Sequence, residues 1–199
     1  MKVYLDNAAT TPVAPEVFEA MAPILKNDFG NPSSTHLFGR SSKAIIEHSR
    51  RGIAKHINCQ PSEVVFTSGG TEADNMAMFT SVTELGVQRI VTSGIEHHAV
   101  GHTACHIQEK YSVELVYVDV DDAGNVDLEH LESILGATAQ KTLVSLMHAN
   151  NEIGTLLPIA EVSKICRRFG AYFHSDTVQT MGHYHFNLQE LDIDFLTCA

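Results

Sequence analysis

The sequence contains no tryptophan, and its four cysteines, Cys59, Cys105, Cys166 and Cys198, stand far apart with no Cys-x-x-Cys pair. Disulfide frameworks and zinc knuckles both need closely patterned cysteines, so neither is signalled and the thiols are read as reduced. Positive charge is scarce as well: 13 Lys and Arg stand against 24 Asp and Glu, a formal net charge of −11. That balance opposes bulk electrostatic binding to nucleic acid or to anionic lipid. A local anion site survives the argument, because a few aimed backbone N–H groups suffice whatever the net charge. Long apolar runs are also missing, and nothing reaches the ~20 residues of a membrane span. Met1 leads almost at once into Val3-Tyr4-Leu5-Asp6, without the basic and apolar regions of a secretory signal. The expectation is a soluble, cytoplasmic protein with neither a membrane nor a nucleic-acid partner.

What is present is enough apolar residue, 44% of 199, to bury a substantial core. From residue 60 onward, short β-rich runs alternate with helical patterns, which predicts an α/β fold with a mainly parallel central sheet flanked by helices. Strands are expected over Glu63–Thr67, Arg89–Ser93, Val113–Val118, Thr142–Met147, Ala171–Asp176 and Asp194–Thr197. Helices are expected over Thr71–Leu85, His98–Lys110, Asp127–Leu135 and Ile159–Phe169, with Gly86, Gly136 and Gly170 as stops. The first 58 residues read as a short strand, a helix opening at Pro15, a Gly30-Asn31-Pro32-Ser33-Ser34 loop, and a longer helix burying Ile45, Ile46, Ile53 and Ile57.

Polar residues gather where these strands end, and ligands of open α/β sheets bind at the carboxyl ends of strands. The segment Ser68-Gly69-Gly70-Thr71-Glu72-Ala73-Asp74-Asn75 opens a helix, so its first N–H groups and the positive helix end suit a phosphate, with Thr71 adding a hydroxyl. A plain capping box between Thr71 and Asp74 is the alternative. No Gly-Lys-Ser/Thr follows, which argues against a nucleotide P-loop. Asp176 would offer a carboxylate to a protonated pyridine nitrogen, or merely cap the turn Thr177-Val178-Gln179; Gln179 lies one turn further on.

His97 would stack on an aromatic ring and move protons near neutral pH, or lie idle on the surface. Asn150 and Asn151 would bond a carboxylate or phenolic oxygen, or serve a turn. His98, His102 and His106 recur at helical spacing, but no carboxylate or cysteine completes a metal-ligand pattern, and no metal is expected. Four strand ends bearing Gly70/Thr71, His97, Asn151 and Asp176/Gln179 carry complementary chemistry, and one crevice would use all of it.

These segments resemble the aminotransferase class V group of fold-type I pyridoxal-phosphate (PLP) enzymes, and within it the cysteine desulfurases. The resemblance is carried by Tyr4-Leu5-Asp6-Asn7-Ala8-Ala9-Thr10-Thr11, Phe29-Gly30-Asn31-Pro32-Ser33-Ser34, the Ser68 to Asn75 loop, Glu96-His97, Asn150-Asn151-Glu152-Ile153-Gly154 and Asp176-x-x-Gln179. It implies that Gly70 and Thr71 hold the cofactor phosphate, and that His97 stacks on the ring and assists proton transfer. It further implies that Asp176 pairs with the ring nitrogen, Gln179 bonds the phenolic oxygen, and Asn151 contacts the cofactor or the substrate carboxylate.

The implied reaction removes sulfur from L-cysteine, leaving alanine and an enzyme persulfide for a sulfur-acceptor or scaffold protein. A selenocysteine lyase, an aminotransferase of the same group, or a non-catalytic remnant with a surviving dimer surface are the alternatives. In the family, the strand resembling Leu191–Thr197 leads into a segment whose lysine holds the cofactor covalently, whereas this chain stops at Cys198-Ala199. The resemblance therefore makes residues 1–14 an arm of the small domain or dimer interface, and 15–199 a PLP-binding large domain. That large domain would be truncated before the lysine, with the C-terminal domain absent, the homodimer expected only of a complete chain, and no independent activity.

Overall fold

Burial on both faces is what the Val- and Ile-rich runs of this sequence require, and a central parallel sheet provides it. The computed structural model describes residues 1–199. Its strands are β1 (Arg89–Ser93), β2 (Glu114–Val118), β3 (Thr142–Ser145), β4 (Tyr172–Asp176) and β5 (Phe195–Thr197). They form one five-stranded sheet in the order β2-β1-β3-β4-β5, every neighbouring pair parallel. The helices are α1 (Pro15–Asn27), α2 (Leu37–Ile57), α3 (Gly70–Thr83), α4 (His98–Tyr111), α5 (Leu128–Gly136) and α6 (Ile159–Phe169). Contacts divide the chain into two units, Met1–Val65 and Phe66–Ala199.

Period-two alternation along the strands sorts the core of the second unit into two layers. Ile90 and Leu143 point to one face and pack with Met78 of α3 and Val100, Ala104 and Ile107 of α4. Val91 and Val144 point to the other, with Phe173, and pack with Leu131 and Ile134 of α5 and Val162 and Ile165 of α6. Each of these fully buried aliphatic side chains removes enough apolar area from water to be worth roughly 1.5–3 kcal/mol. Local signals hold the helix ends: the Asp127 carboxylate accepts from His130 N at 2.9 Å at the start of α5, and Gly170 closes α6 at φ 65°. The strand order reverses between β1 and β3, so this is the topological switch point, at whose carboxyl end ligands of open α/β sheets bind.

In the first unit, α1 has no buried residue and leaves Phe18 and Leu25 exposed. On α2 the buried side is formed by Gly39, Ser42, Ala54 and Ile57. Ile45 and Ile46 are half-buried there, and Ile53 is exposed, contrary to expectation.

Two expected strands do not form. At Glu63–Thr67, Pro61 starts a short 3-10 helix closed by a capping box in which Gln60 N donates to Glu63 Oε2 at 2.6 Å. Val64 N then donates back to Pro61 O at 3.3 Å, so its amide serves a turn rather than a ladder. At the amino end, Ala9 N and Thr10 N both donate to Asp6 O, which curls the segment into a turn. Gly136 is the last residue of α5 rather than its stop.

Candidate active site

The turn into α3 offers a helix start that no side chain caps. Thr71 and Asp74 do not form a capping box: Thr71 is an exposed first-turn residue, and Asp74 is buried and bonded elsewhere. The side chain of Glu72 instead accepts from Ser68 N at 2.6 Å, tying the loop down from outside. First-turn N–H groups and the positive end of the helix dipole are therefore directed outward, as an anion site requires. Gly70 sits where a side chain would force its neighbour to move. A Cβ at this position would stand 2.9 Å from Val178 Cγ2, in the turn that follows β4. That close approach joins the glycine loop to the segment carrying Asp176.

Asp176 ends β4, is only 6% exposed, and gives Oδ1 to the Val178 amide at 2.9 Å. The turn-capping role is thus real, and it leaves the second oxygen for another partner. One side-chain ligand atom from each of Asp176, Asp74 and His97 lies within 4.8 Å of the other two. Burial, and then the neighbouring Asp74, push the Asp176 carboxyl above its ordinary range; the Val178 amide, His174 and His97 offset this in part. No lysine or arginine pairs with either aspartate, so the sheet end is short of positive charge. A cationic ring nitrogen would supply it.

His97 is exposed at the N-cap of α4, where its Nδ1 accepts from Ala99 N at 3.2 Å. An accepting Nδ1 makes Nε2 the protonated nitrogen of the neutral ring. His97 is consequently a hydrogen-bond donor at Nε2. Along α4, the His98 and His102 rings stack at 5.1 Å, whereas His106 turns to Phe79 and Cys105 to the Tyr117 hydroxyl.

The switch point is clamped by Glu96, whose carboxylate accepts from Met147 N beyond β3 at 2.8 Å and from Ser93 Oγ of β1 at 2.6 Å. Glu96 is half-buried. Desolvation there, with smaller contributions from Asp176 and Asp74, pushes its pKa up to about 8. Asn150 adds a second clamp, donating to Ile95 O at 2.7 Å and accepting from Glu152 N and Ile153 N. Asn151 is exposed on the turn so formed, and Gln179 is half-buried one turn beyond Asp176. Of the residues singled out in the sequence, His97 and Asp176 bring ligand atoms within 4.8 Å of each other, and Gly70 stands against the same segment at Val178.

Sequence reasoning gave Glu96 no role and treated Asp74 only as a cap. The signal for Asp74 was available: it shares the buried stripe of α3 with Ala77, Met78 and Ser81. A carboxylate at the periodic core position of a helix needs a reason to be there.

The model of the aminotransferase class-V family matches residues 3–199. The chain belongs to that family. It is 50% identical over 200 residues to "Cysteine desulfurase IscS" of Dictyoglomus turgidum, covering 100% of this chain and 50% of that protein. Among solved structures, a "NifS-like protein" superposes with a TM-score of 0.92 at 37% identity, covering 100% of this chain and 55% of that one. "SspA in complex with cysteine" gives 0.88 at 31% identity, covering 98% and 56%. The close relatives are cysteine desulfurases, which are enzymes, and the fold is that of fold-type I PLP enzymes. The chain spans about half the length of the curated relatives it matches.

Proposed function

We propose that this chain is the cofactor-binding part of a PLP-dependent cysteine desulfurase, acting on L-cysteine to give alanine and a persulfide that passes to a sulfur-acceptor or scaffold protein. The observation that carries the reading is the approach of Asp176 and His97 to within 4.8 Å at the carboxyl end of the sheet, with an uncapped glycine-rich helix start packed against the turn after Asp176. The residues suit the group: the helix start is an anion site, the two aspartates lack a cation, and Gly70 keeps the approach open.

Bound there, the cofactor supplies an electron sink for bond breaking at the amino acid. Gly70 and Thr71 would hold its phosphate, Asp176 its ring nitrogen and Gln179 its phenolic oxygen, while Asn151 would bond either the cofactor or the substrate carboxylate. His97 would cover the ring and offer it a hydrogen bond from Nε2–H; proton transfer would run through the imidazolium. To accept a proton, His97 must release the Ala99 amide from Nδ1, so proton uptake is tied to the start of α4. Glu96 and Asn150 fix the switch point, so that His97 and the Asn151 turn keep their spacing.

The same reading assigns residues 1–14 to the small domain or dimer interface and 15–199 to the cofactor-binding domain of a cytoplasmic homodimer. The exposed apolar residues of α1 support a surface that is covered in the whole protein. The test is Asp176→Ala in the whole protein, scored by sulfide and alanine released from L-cysteine. Loss of both with the fold intact supports the reading, and full retention removes Asp176 from the mechanism.

A further inference from the structure

Beneath the crevice lies a chain of buried polar groups that the reaction does not use directly. Thr197 Oγ1 of β5 donates to Asp74 Oδ1 of α3 at 2.5 Å. Having spent its one hydrogen, that hydroxyl can only accept from His174 Nε2, 3.2 Å away on β4. His174 Nε2 also lies 3.5 Å from Asp74 Oδ1. The other ring nitrogen, Nδ1, meets Ser145 Oγ of β3 at 2.8 Å. Asp74 is 1% exposed, and Ser145 and His174 are 0% exposed. Serine, histidine and aspartate here have the composition of a hydrolytic triad, yet no substrate reaches them. The last two links are directional: His174 Nε2 donates to Thr197 and Thr197 to Asp74, the member that cannot donate when ionised.

A carboxylate sealed among strand ends is costly unless its hydrogen bonds are complete, and here they hold it against Asp176. We propose that Asp74 is a positioning residue for Asp176: held by the Thr197 hydroxyl, which His174 backs, it keeps a second carboxylate within 4.8 Å, so that Asp176 grips a protonated ring nitrogen more firmly than a lone carboxylate would. This rests on the reading that Asp176 faces such a nitrogen. The groups facing Asp176 are Asp74 on α3, His174 on its own strand, His97 at the start of α4, Glu96 beyond β1 and Cys198 beyond β5. Among the acids in that set, only Asp74 is fully buried and held by a hydroxyl on a strand, Thr197 of β5, which His174 of β4 backs in turn. The upward displacement of the Asp176 carboxyl, of which Asp74 is the second cause, agrees with this.

The experiment is a carbon-13 titration of the Asp176 carboxylate in the whole protein without cofactor, with PLP affinity measured by fluorescence across pH. Asp74→Asn keeps an oxygen for Thr197 but deletes the charge. It is expected to lower the Asp176 midpoint by about half a pH unit or more, the scale of a like charge at this distance in high dielectric. PLP binding should weaken in the variant, and weaken more as pH rises; a merely structural role would shift it equally at every pH. If Asp74→Asn does not fold, Thr197→Val, which strips Asp74 of its donor, should move the midpoint the same way by less. An Asp176 midpoint unmoved in the variants that fold overturns the proposal. A lowered midpoint with unchanged PLP affinity upholds the Asp74–Asp176 coupling and overturns instead the pairing of Asp176 with the ring nitrogen.

Discussion

His97 Nδ1 accepts the amide hydrogen of Ala99 at 3.2 Å, so the histidine that would cover the cofactor is also the N-cap of its own helix. Two jobs on one ring can be separated by substitution. His97→Asn keeps a capping acceptor without the imidazole and should leave urea stability within a few tenths of a kcal/mol, while His97→Ala should cost about 1 kcal/mol. Nitrogen-15 NMR of the unsubstituted protein should show the neutral ring protonated at Nε2. Protonation at Nδ1 would contradict the geometry.

Glu96 carries a pH signature. Its folded-state pKa of about 8 stands above the ordinary 4.5. The folded state therefore holds this proton more tightly than the unfolded chain does. Its contribution to stability is complete below pH 4.5 and is lost progressively as pH rises towards about 8. Glu96→Gln, whose amide can accept from Met147 N and donate to Ser93 Oγ, should flatten that decline in denaturation curves recorded across the window. An unchanged slope would place the proton elsewhere.

Gly70 and Val178 form a steric pair. Gly70→Ala puts a methyl 2.9 Å from Val178 Cγ2, and such overpacking should cost about 1–3 kcal/mol and weaken PLP binding. Val178→Ala in the same chain should recover most of both. Absence of recovery would mean that the glycine is needed for its backbone alone.

Thiol chemistry should divide the cysteines. Cys166 is buried in the α6 layer, and desolvation pushes its thiol up to about 12, so it should resist alkylation in the folded protein. Cys105 and Cys198 are both exposed, but burial and then the nearby Asp176 push the Cys198 thiol up, so Cys105 should be modified first. Mass-spectrometric mapping after brief iodoacetamide treatment would show the order.

The sheet is legible because its strands are short runs dense in Val, Ile, Leu and Phe, alternating with helical patterns. Arg89–Ser93 and Ile159–Phe169 fall at the residues expected from the sequence, and the other retained elements lie within two residues of expectation. Glu63–Thr67 looked like a strand for the same reason, but Pro61 and the Gln60–Glu63 capping box spent its amides on a turn. Val65 and Phe66 are consequently exposed. Of the site, Asp176 and His97 could be found because each follows a strand. Asp74 could not be ranked by that rule, since it reaches the crevice from a helix interior. Glu96 was hidden by its neighbour: its role is a hydrogen bond to Met147 N, 51 positions away, which no local pattern encodes.

The most direct measurement is a crystal structure of the whole protein with PLP bound. The account predicts the ring nitrogen within hydrogen-bonding distance of the Asp176 carboxylate, the His97 imidazole stacked on the ring, and the phosphate on the Gly70 and Thr71 amides. A phosphate seated away from the start of α3, or a ring nitrogen facing a neutral group instead of Asp176, would contradict it.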